Sequence, residues 1–201
     1  MGKMFGKLFV NSCRSVSLGM YFLLFCVLTK EIRSDNHMKV LLDFSNLDSS
    51  SQWMVVNDGV MGGVSKSNFR WHHEGYLIFE GQVSTDFGGG FASLRSGYKN
   101  WDIGNYEGII LKIRGDLKKY QFRCRLGDDL YQVAYRHHFQ TKNYEWQEVR
   151  LAFSDFVPTY RGRVLKGLPS LNSRDIRSFG IMISDKQVGN FNLDLAWIGV
   201  F

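Results

Sequence analysis

From Tyr120 to Leu126 the chain reads Tyr-Gln-Phe-Arg-Cys-Arg-Leu, apolar and polar in strict alternation. A period of two puts every apolar residue on one face of an extended strand, so this stretch reads as half of a sheet-on-core interface. Val149, Leu151 and Phe153 repeat the pattern in Glu148–Phe153, as do Phe191, Leu193, Leu195 and Trp197 in Phe191–Trp197. Tyr76–Val83, Gly108–Arg114, Leu130–Arg136 and Phe179–Ser184 are further strand candidates. Turn signals fall between them at Arg114-Gly-Asp116, Gly127-Asp-Asp129, Lys142-Asn143 and Val188-Gly-Asn190. No stretch carries a long, capped helical period. Many short strands at this spacing predict an all-β domain, a β-sandwich or jelly roll. The high aromatic content, 21 glycines and only 2 prolines agree with strands joined by tight turns.

The first 30 residues contain no acid, and an apolar run, Val16–Leu28, follows the last early basic residue, Arg14. At about 13 residues the run has the length of a signal-peptide core and is short for a membrane span. No clean small-residue cleavage site follows, and Leu23-Leu-Phe-Cys26 is a poor lipoprotein signal. The favoured reading is an export signal or membrane anchor over residues 1–37, giving an exported or membrane-associated protein. A mitochondrial leader and a cytoplasmic protein initiated at Met38 are the alternatives. A single folded domain is expected over 38–201.

The net charge of +6 divides evenly between leader and body, and no Lys/Arg block appears. Basic residues alternate with apolar ones along the strands, as they would on a solvated sheet face, so nucleic acid is not an expected partner. Of three cysteines, Cys13 and Cys26 lie in the leader, and Cys124 falls in the apolar set of its strand. No Cys-x-x-Cys motif exists, which argues against zinc ribbons and thioredoxin-like chemistry. The histidines are His37 and two adjacent pairs, His72-His73 and His137-His138, preceded by Trp71 and by Tyr135-Arg136. Strand neighbours point to opposite faces, so paired chelation is awkward and no metal or other cofactor is expected. The placement suggests strand edges. No nucleophile elbow and no His-Glu-x-x-His occurs, so no catalytic residue is assigned.

Four segments can carry binding. Asn57-Asp-Gly-Val-Met-Gly-Gly-Val-Ser65 places three glycines within five residues, which calls for positive φ or close approach. Its amides with Asp58 and Ser65 would form a small polar cradle; the plainer reading is a shaped loop. Gly88-Gly-Gly-Phe-Ala-Ser-Leu-Arg95 is not a phosphate loop, since no Gly-Lys-Ser/Thr follows; its glycines suit a bulge, and Arg95 can pair with a carboxylate. Arg161 and Arg163 flank Gly162, so both guanidinium groups can reach one anionic surface or pair internally with Asp155 or Asp185. The strand Gly180-Ile-Met-Ile ends in Ser184-Asp-Lys-Gln187, where Asp185 and Lys186 form either a functional dyad or a turn.

Read together and in order, these segments, with Phe79-Glu-Gly-Gln-Val-Ser84, Arg114-Gly-Asp116 and Phe153-Ser-Asp-Phe156, resemble the complex I intermediate-associated protein 30 (CIA30) family. The resemblance implies a galactose-binding-like jelly roll. It implies a non-enzymatic, chaperone-like role, since mitochondrial members assist assembly of NADH:ubiquinone oxidoreductase (complex I), and it brings no catalytic residues. The compact form is closest to short stand-alone bacterial members. The expected partner is a protein, respiratory-complex subunits or assembly intermediates. The alternative is a carbohydrate or small ligand, with Trp71, Tyr98, Trp101 and Tyr160 as platforms.

Overall fold

The computed structural model describes residues 38–46, 53–127 and 133–201. The leader, residues 47–52 and residues 128–132, on which most of the expected Gly127-Asp-Asp129 turn falls, lie outside the described residues. Two antiparallel sheets face each other. The six-stranded sheet contains β1 (Lys39–Asp43), β3 (Lys66–His72), β4 (Tyr76–Val83), β6 (Gly108–Gly115), β9 (Gln147–Ala152) and β13 (Gly189–Val200). The seven-stranded sheet contains β2 (Trp53–Asn57), β5 (Ala92–Ser96), β7 (Lys119–Leu126), β8 (Ala134–Gln140), β10 (Val157–Tyr160), β11 (Arg163–Val164) and β12 (Ile176–Ile183). Its order is β11-β10-β8-β7-β12-β5-β2. The first sheet runs β3-β4-β13-β6-β9, with β1 paired to the far half of β13.

The alternating residues do what their period demands. Tyr120, Phe122 and Cys124 of β7 enter the core, where they meet Leu193 and Leu195 of β13 and Phe179 and Ile181 of β12. Phe79 packs edge-on to Phe191 at 5.0 Å, and Phe122 lies 5.6 Å from Phe179. Each such side chain contributes roughly 1.5–3 kcal/mol by leaving water. The one polar atom carried into this layer by Tyr120 is satisfied, since its single hydroxyl proton is shared between Asp116 Oδ1 and the Asn192 carbonyl.

Two expectations shift. Of the strand placed at Leu130–Arg136, residues 130–132 lie outside the described residues, and the described strand runs from Ala134 past Arg136 to Gln140, so His137 and His138 lie inside a strand paired to β7 rather than at its edge. Trp101 is a core residue packed on Phe179, and Trp71 is a half-buried one packed against the core on Phe44 and Phe69, so neither stands out as a platform. Their large apolar rings gain more from burial than from display.

Cys124 is fully buried, and burial pushes its thiol well up, away from the reactive thiolate. In the native protein the Cys124 peptide should therefore resist alkylation at pH 8 and react fully in denaturant, as read by mass spectrometry. Equal labelling under both conditions would remove Cys124 from the core.

Candidate functional site

One end of the sandwich is organised around a buried carboxylate. β2 ends at Asn57, opposite Ala92 of β5, which in turn lies opposite Ile183 of β12. The loops that follow Asn57, precede Ala92 and follow Ile183 therefore gather at one end of the seven-stranded sheet. Asp58 is 0% exposed and accepts four hydrogen bonds. They come from the Ser65 amide (2.9 Å) and hydroxyl (2.5 Å), the Gly90 amide (2.7 Å) and the Phe91 amide (3.2 Å). Burial acts to raise its pKa, but these four donors outweigh it and hold the carboxyl below its ordinary range. Gly63 and Gly89 are small because Asp58 is there. A Cβ on Gly63 would lie 2.4 Å from the Asp58 carboxyl carbon, and one on Gly89 would lie 2.6 Å from Oδ2. The cradle expected from the sequence is thus filled from within: Asp58 and Ser65 join the two glycine-rich loops to each other.

The outer face of the seven-stranded sheet is the more unusual surface. Met54, Arg95, Gly180, Arg123, Arg136 and Val157 lie opposite one another in a single row across β2, β5, β12, β7, β8 and β10. Arg125 extends the same face of β7. This is not a solvated face as the alternation suggested, for Arg123 is 7% and Arg125 9% exposed. The side chains lie flat over one another and over Gly180, where an added Cβ would meet Arg125 Nη1 at 3.3 Å and Arg95 Cγ at 3.7 Å. Arg123 donates to Gln121 Oε1 (3.0 Å) and Thr159 Oγ1 (3.3 Å), both neutral. Burial first, and then the charges of Arg125, Arg95 and Arg136, bring its pKa down to about 9. Burial likewise lowers Arg95.

The remaining sequence candidates sit at the margins. Arg161 and Arg163 are exposed on the β10–β11 hairpin and form no ion pair among the described residues. Arg161 lies over the Tyr160 ring, 5.3 Å from its centroid. Asp185 and Lys186 are exposed, both with left-handed φ, in the turn after β12. Asp185 Oδ2 lies 3.3 Å from His138 Nε2. Burial, Lys119 and Arg136 nonetheless lower the His138 pKa. β5 and β11 are five strand spacings apart, roughly 24 Å along the sheet. Arg95 and the hairpin arginines are therefore not one cluster; Arg123 and Arg136 occupy the interval. Among the described residues no group of three or more His, Cys, Asp or Glu side chains could hold a metal ion. On the six-stranded sheet a shallow cavity of about 390 Å³ is lined by Arg70, Tyr76, Arg114, Tyr144, Asn192 and Asp194. Arg114 there pairs with Asp194 at 2.8 Å and covers the rings of Tyr76 and Trp146.

A family model described as Complex I intermediate-associated protein 30 (CIA30) matches residues 42–195, spanning both glycine loops and the arginine row. The chain belongs to the CIA30 family. It is 33% identical over 162 residues to an uncharacterized protein of Schizosaccharomyces pombe, covering 70% of this chain and 74% of that one. It is 26% identical over 184 residues to the mitochondrial complex I intermediate-associated protein 30 of Mus musculus, and 25% over 183 residues to that of Drosophila melanogaster. These matches take in 81% and 80% of this chain but only 56% and 62% of the relatives' own lengths. Among solved structures, the family 11 carbohydrate-binding module of a cellulosomal cellulase of Clostridium thermocellum superposes with a TM-score of 0.62. Identity is 16%, with 84% of this chain and 96% of that one covered. The likeness is one of fold, a β-sandwich of two antiparallel sheets.

Arg123, Arg125 and Arg136 were missed as site residues by sequence reasoning. Their alternation with Phe122, Cys124 and Tyr135 says which face they share, and nothing in a single strand says that β8 and β12 bring further arginine and glycine positions alongside.

Proposed function

We propose that this CIA30 chain is a non-enzymatic binding module that assists assembly of complex I or a related protein complex. The observation that carries the reading is the β10–β11 hairpin at the edge of the seven-stranded sheet. Arg161 and Arg163 stand exposed there without an ion pair among the described residues, beside exposed Val157, Tyr160 and Val164. Arginine and tyrosine over an apolar surface is the composition of a protein-binding patch, and a guanidinium without an internal partner is available to a carboxylate on another chain. The names of the mouse and fly relatives support complex I intermediates as the partner and a mitochondrial location as the alternative that fits this chain. Asp185 and Lys186, with Arg95, remain secondary contact candidates.

The test is affinity purification of the tagged protein from its native membranes, against an Arg161→Ala/Arg163→Ala control. Respiratory-complex subunits should be enriched and at least about tenfold depleted in the control, as loss of a central contact predicts. Undiminished capture by the control would sink the hairpin as the contact surface, and absence of such subunits from both would sink the assembly role.

A second reading, a carbohydrate or small-ligand module, is favoured by the cavity around Tyr76, Tyr144, Asn192 and Asp194, whose volume lies in the range of ligand sites. A glycan array distinguishes it, since binding lost in Asp194→Ala would support that reading.

A further inference from the structure

We propose that the arginine row on the outer face of the seven-stranded sheet is a binding site for a phosphate-bearing ligand, held by Arg95, Arg123 and Arg136 on the strands either side of Gly180. Three observations carry it. First, these three guanidinium groups come from three strands and are held in one row by the backbone register, Arg95 opposite Gly180, Gly180 opposite Arg123, and Arg123 opposite Arg136. Gly180 contributes no side chain of its own at the centre of the row, where the Arg125 and Arg95 side chains lie over it. Second, none of the three forms an ion pair among the described residues, and the Nε atoms of all three are buried and donate to nothing. Third, the nearby polar groups that do engage Arg123 are the neutral Gln121 and Thr159 side chains. Asp185, an acidic group at the margin of this face, lies beside His138.

Buried charges are ordinarily paired, because desolvating a cation without a counter-ion costs several kcal/mol. Here like charges are gathered and desolvated together, with no ion pair for Arg95, Arg123 or Arg136 among the described residues. A phosphate dianion suits this row in charge and in shape. Its oxygens can each accept from a guanidinium fork, and two negative charges offset most of three positive ones. Arg123 forms the floor of the site, and the half-buried Arg95 and Arg136 form its rim. The site lies on strands rather than loops, so its geometry is set before a ligand arrives. It stands independently of whether the hairpin binds a protein.

The experiment is thermal denaturation and titration calorimetry of the whole chain with inorganic phosphate and then pyrophosphate, at ionic strength held constant with chloride. A saturable rise in Tm of about 4 °C or more is expected at ligand concentrations near 100 times Kd. In Arg123→Met the rise should vanish and affinity fall at least about tenfold, while Tm without ligand stays level or increases because a buried cation has gone. A merely structural Arg123 would instead lower the ligand-free Tm and leave the phosphate shift intact. Should that variant fail to fold, Arg95→Gln/Arg136→Gln, at the part-exposed rim, serves the same comparison. No rise over the chloride control, or an equal rise in the variants, overturns the proposal. Glycerol phosphate and vesicles of phosphatidylcholine with phosphatidylglycerol distinguish the sources. Flotation with the anionic vesicles only, lost in the variant, identifies a lipid headgroup, and response to the soluble phosphate esters identifies a free metabolite.

Discussion

Asp58→Asn is expected to destabilise the domain by about 3–5 kcal/mol, the range for breaking a buried, fully paired polar network. The carboxylate accepts four hydrogen bonds, and all four partners are donors: two backbone amides on one loop, and the Ser65 amide and hydroxyl on the other. An asparagine side chain offers one acceptor oxygen and turns a donor NH2 towards donors. At least one amide would be left buried and unpaired whichever way the side chain is flipped, and water has no room to replace the lost oxygen because Gly63 and Gly89 press against the carboxyl group. Equilibrium urea unfolding measures the loss, and a fall in Tm of roughly 10 °C should accompany it. Ser65→Ala removes one of the four bonds and should cost about 1–2 kcal/mol. The same carboxylate gives a signed pH dependence. Its folded pKa lies below the ordinary 3.8, so its stabilisation is present above that value and is lost as pH falls through the folded value. The wild-type protein should lose stability below about pH 4 more steeply than Asp58→Asn, which has no proton to take up there. Parallel pH profiles for the two proteins, or a loss under about 1 kcal/mol, would show that Asp58 is not the joint between the loops.

Asp58 also shows where the sequence stops being informative. Asp-Gly-Val-Met-Gly-Gly announces a tight, polar, glycine-dependent loop, and Gly-Gly-Gly-Phe a second one. That the two are a single structure depends on β2 lying beside β5, a pairing between segments 35 or more residues apart. The strands themselves were legible wherever one face is dry and the other wet. Tyr76–Val83 is the β4 observed, and Tyr120–Leu126 differs from β7 by one residue. Leu130–Arg136 stopped short of the end of β8 because the strand continues past Arg136 into a histidine pair that reads as polar. The arginine row failed for a different reason. Period-two alternation assigns Arg123 and Arg125 to the face away from the core, and it equates that face with solvent. In a wide, antiparallel sheet with Gly180 at its centre, long side chains from adjacent strands fill that second face and bury each other. The exposed hairpin was visible as Arg-Gly-Arg because glycine between two like charges is a local signal that needs no knowledge of neighbours.

Gly81→Ala is expected to cost about 3 kcal/mol, and its reason lies in the pairing of three strands rather than in backbone freedom. A Cβ at Gly81 would lie 2.2 Å from the Lys66 carbonyl oxygen and 2.7 Å from Ser67 Cα, both backbone atoms of β3. Side chains swing aside from a clash of this kind, whereas a paired strand must move as a whole. On its other edge β4 is held by β13, with Gly81 opposite Phe191, whose ring packs on Phe79 in the core. Relief therefore has to come from displacing β3, the outermost strand, at the expense of the Ser67–Gly81 pairing and of the packing of Phe69 and Trp71 against the core. Overpacking in such a setting costs 1–3 kcal/mol and occasionally more, and loss of an edge strand falls at the upper end. Hydrogen exchange should localise the damage: amides of β3 should lose protection before those of β13 or β7, and Tm should fall by about 6–12 °C. Gly59→Ala is the matched control, since an added Cβ there meets nothing within 4 Å and φ is not in the left-handed region. Its stability should stay within about 0.5 kcal/mol of wild type. Equal stabilities for the two alanine variants would mean that β3 and β4 are not in the register Ser67–Gly81. They would also mean that close approach of β3 does not require glycine at position 81.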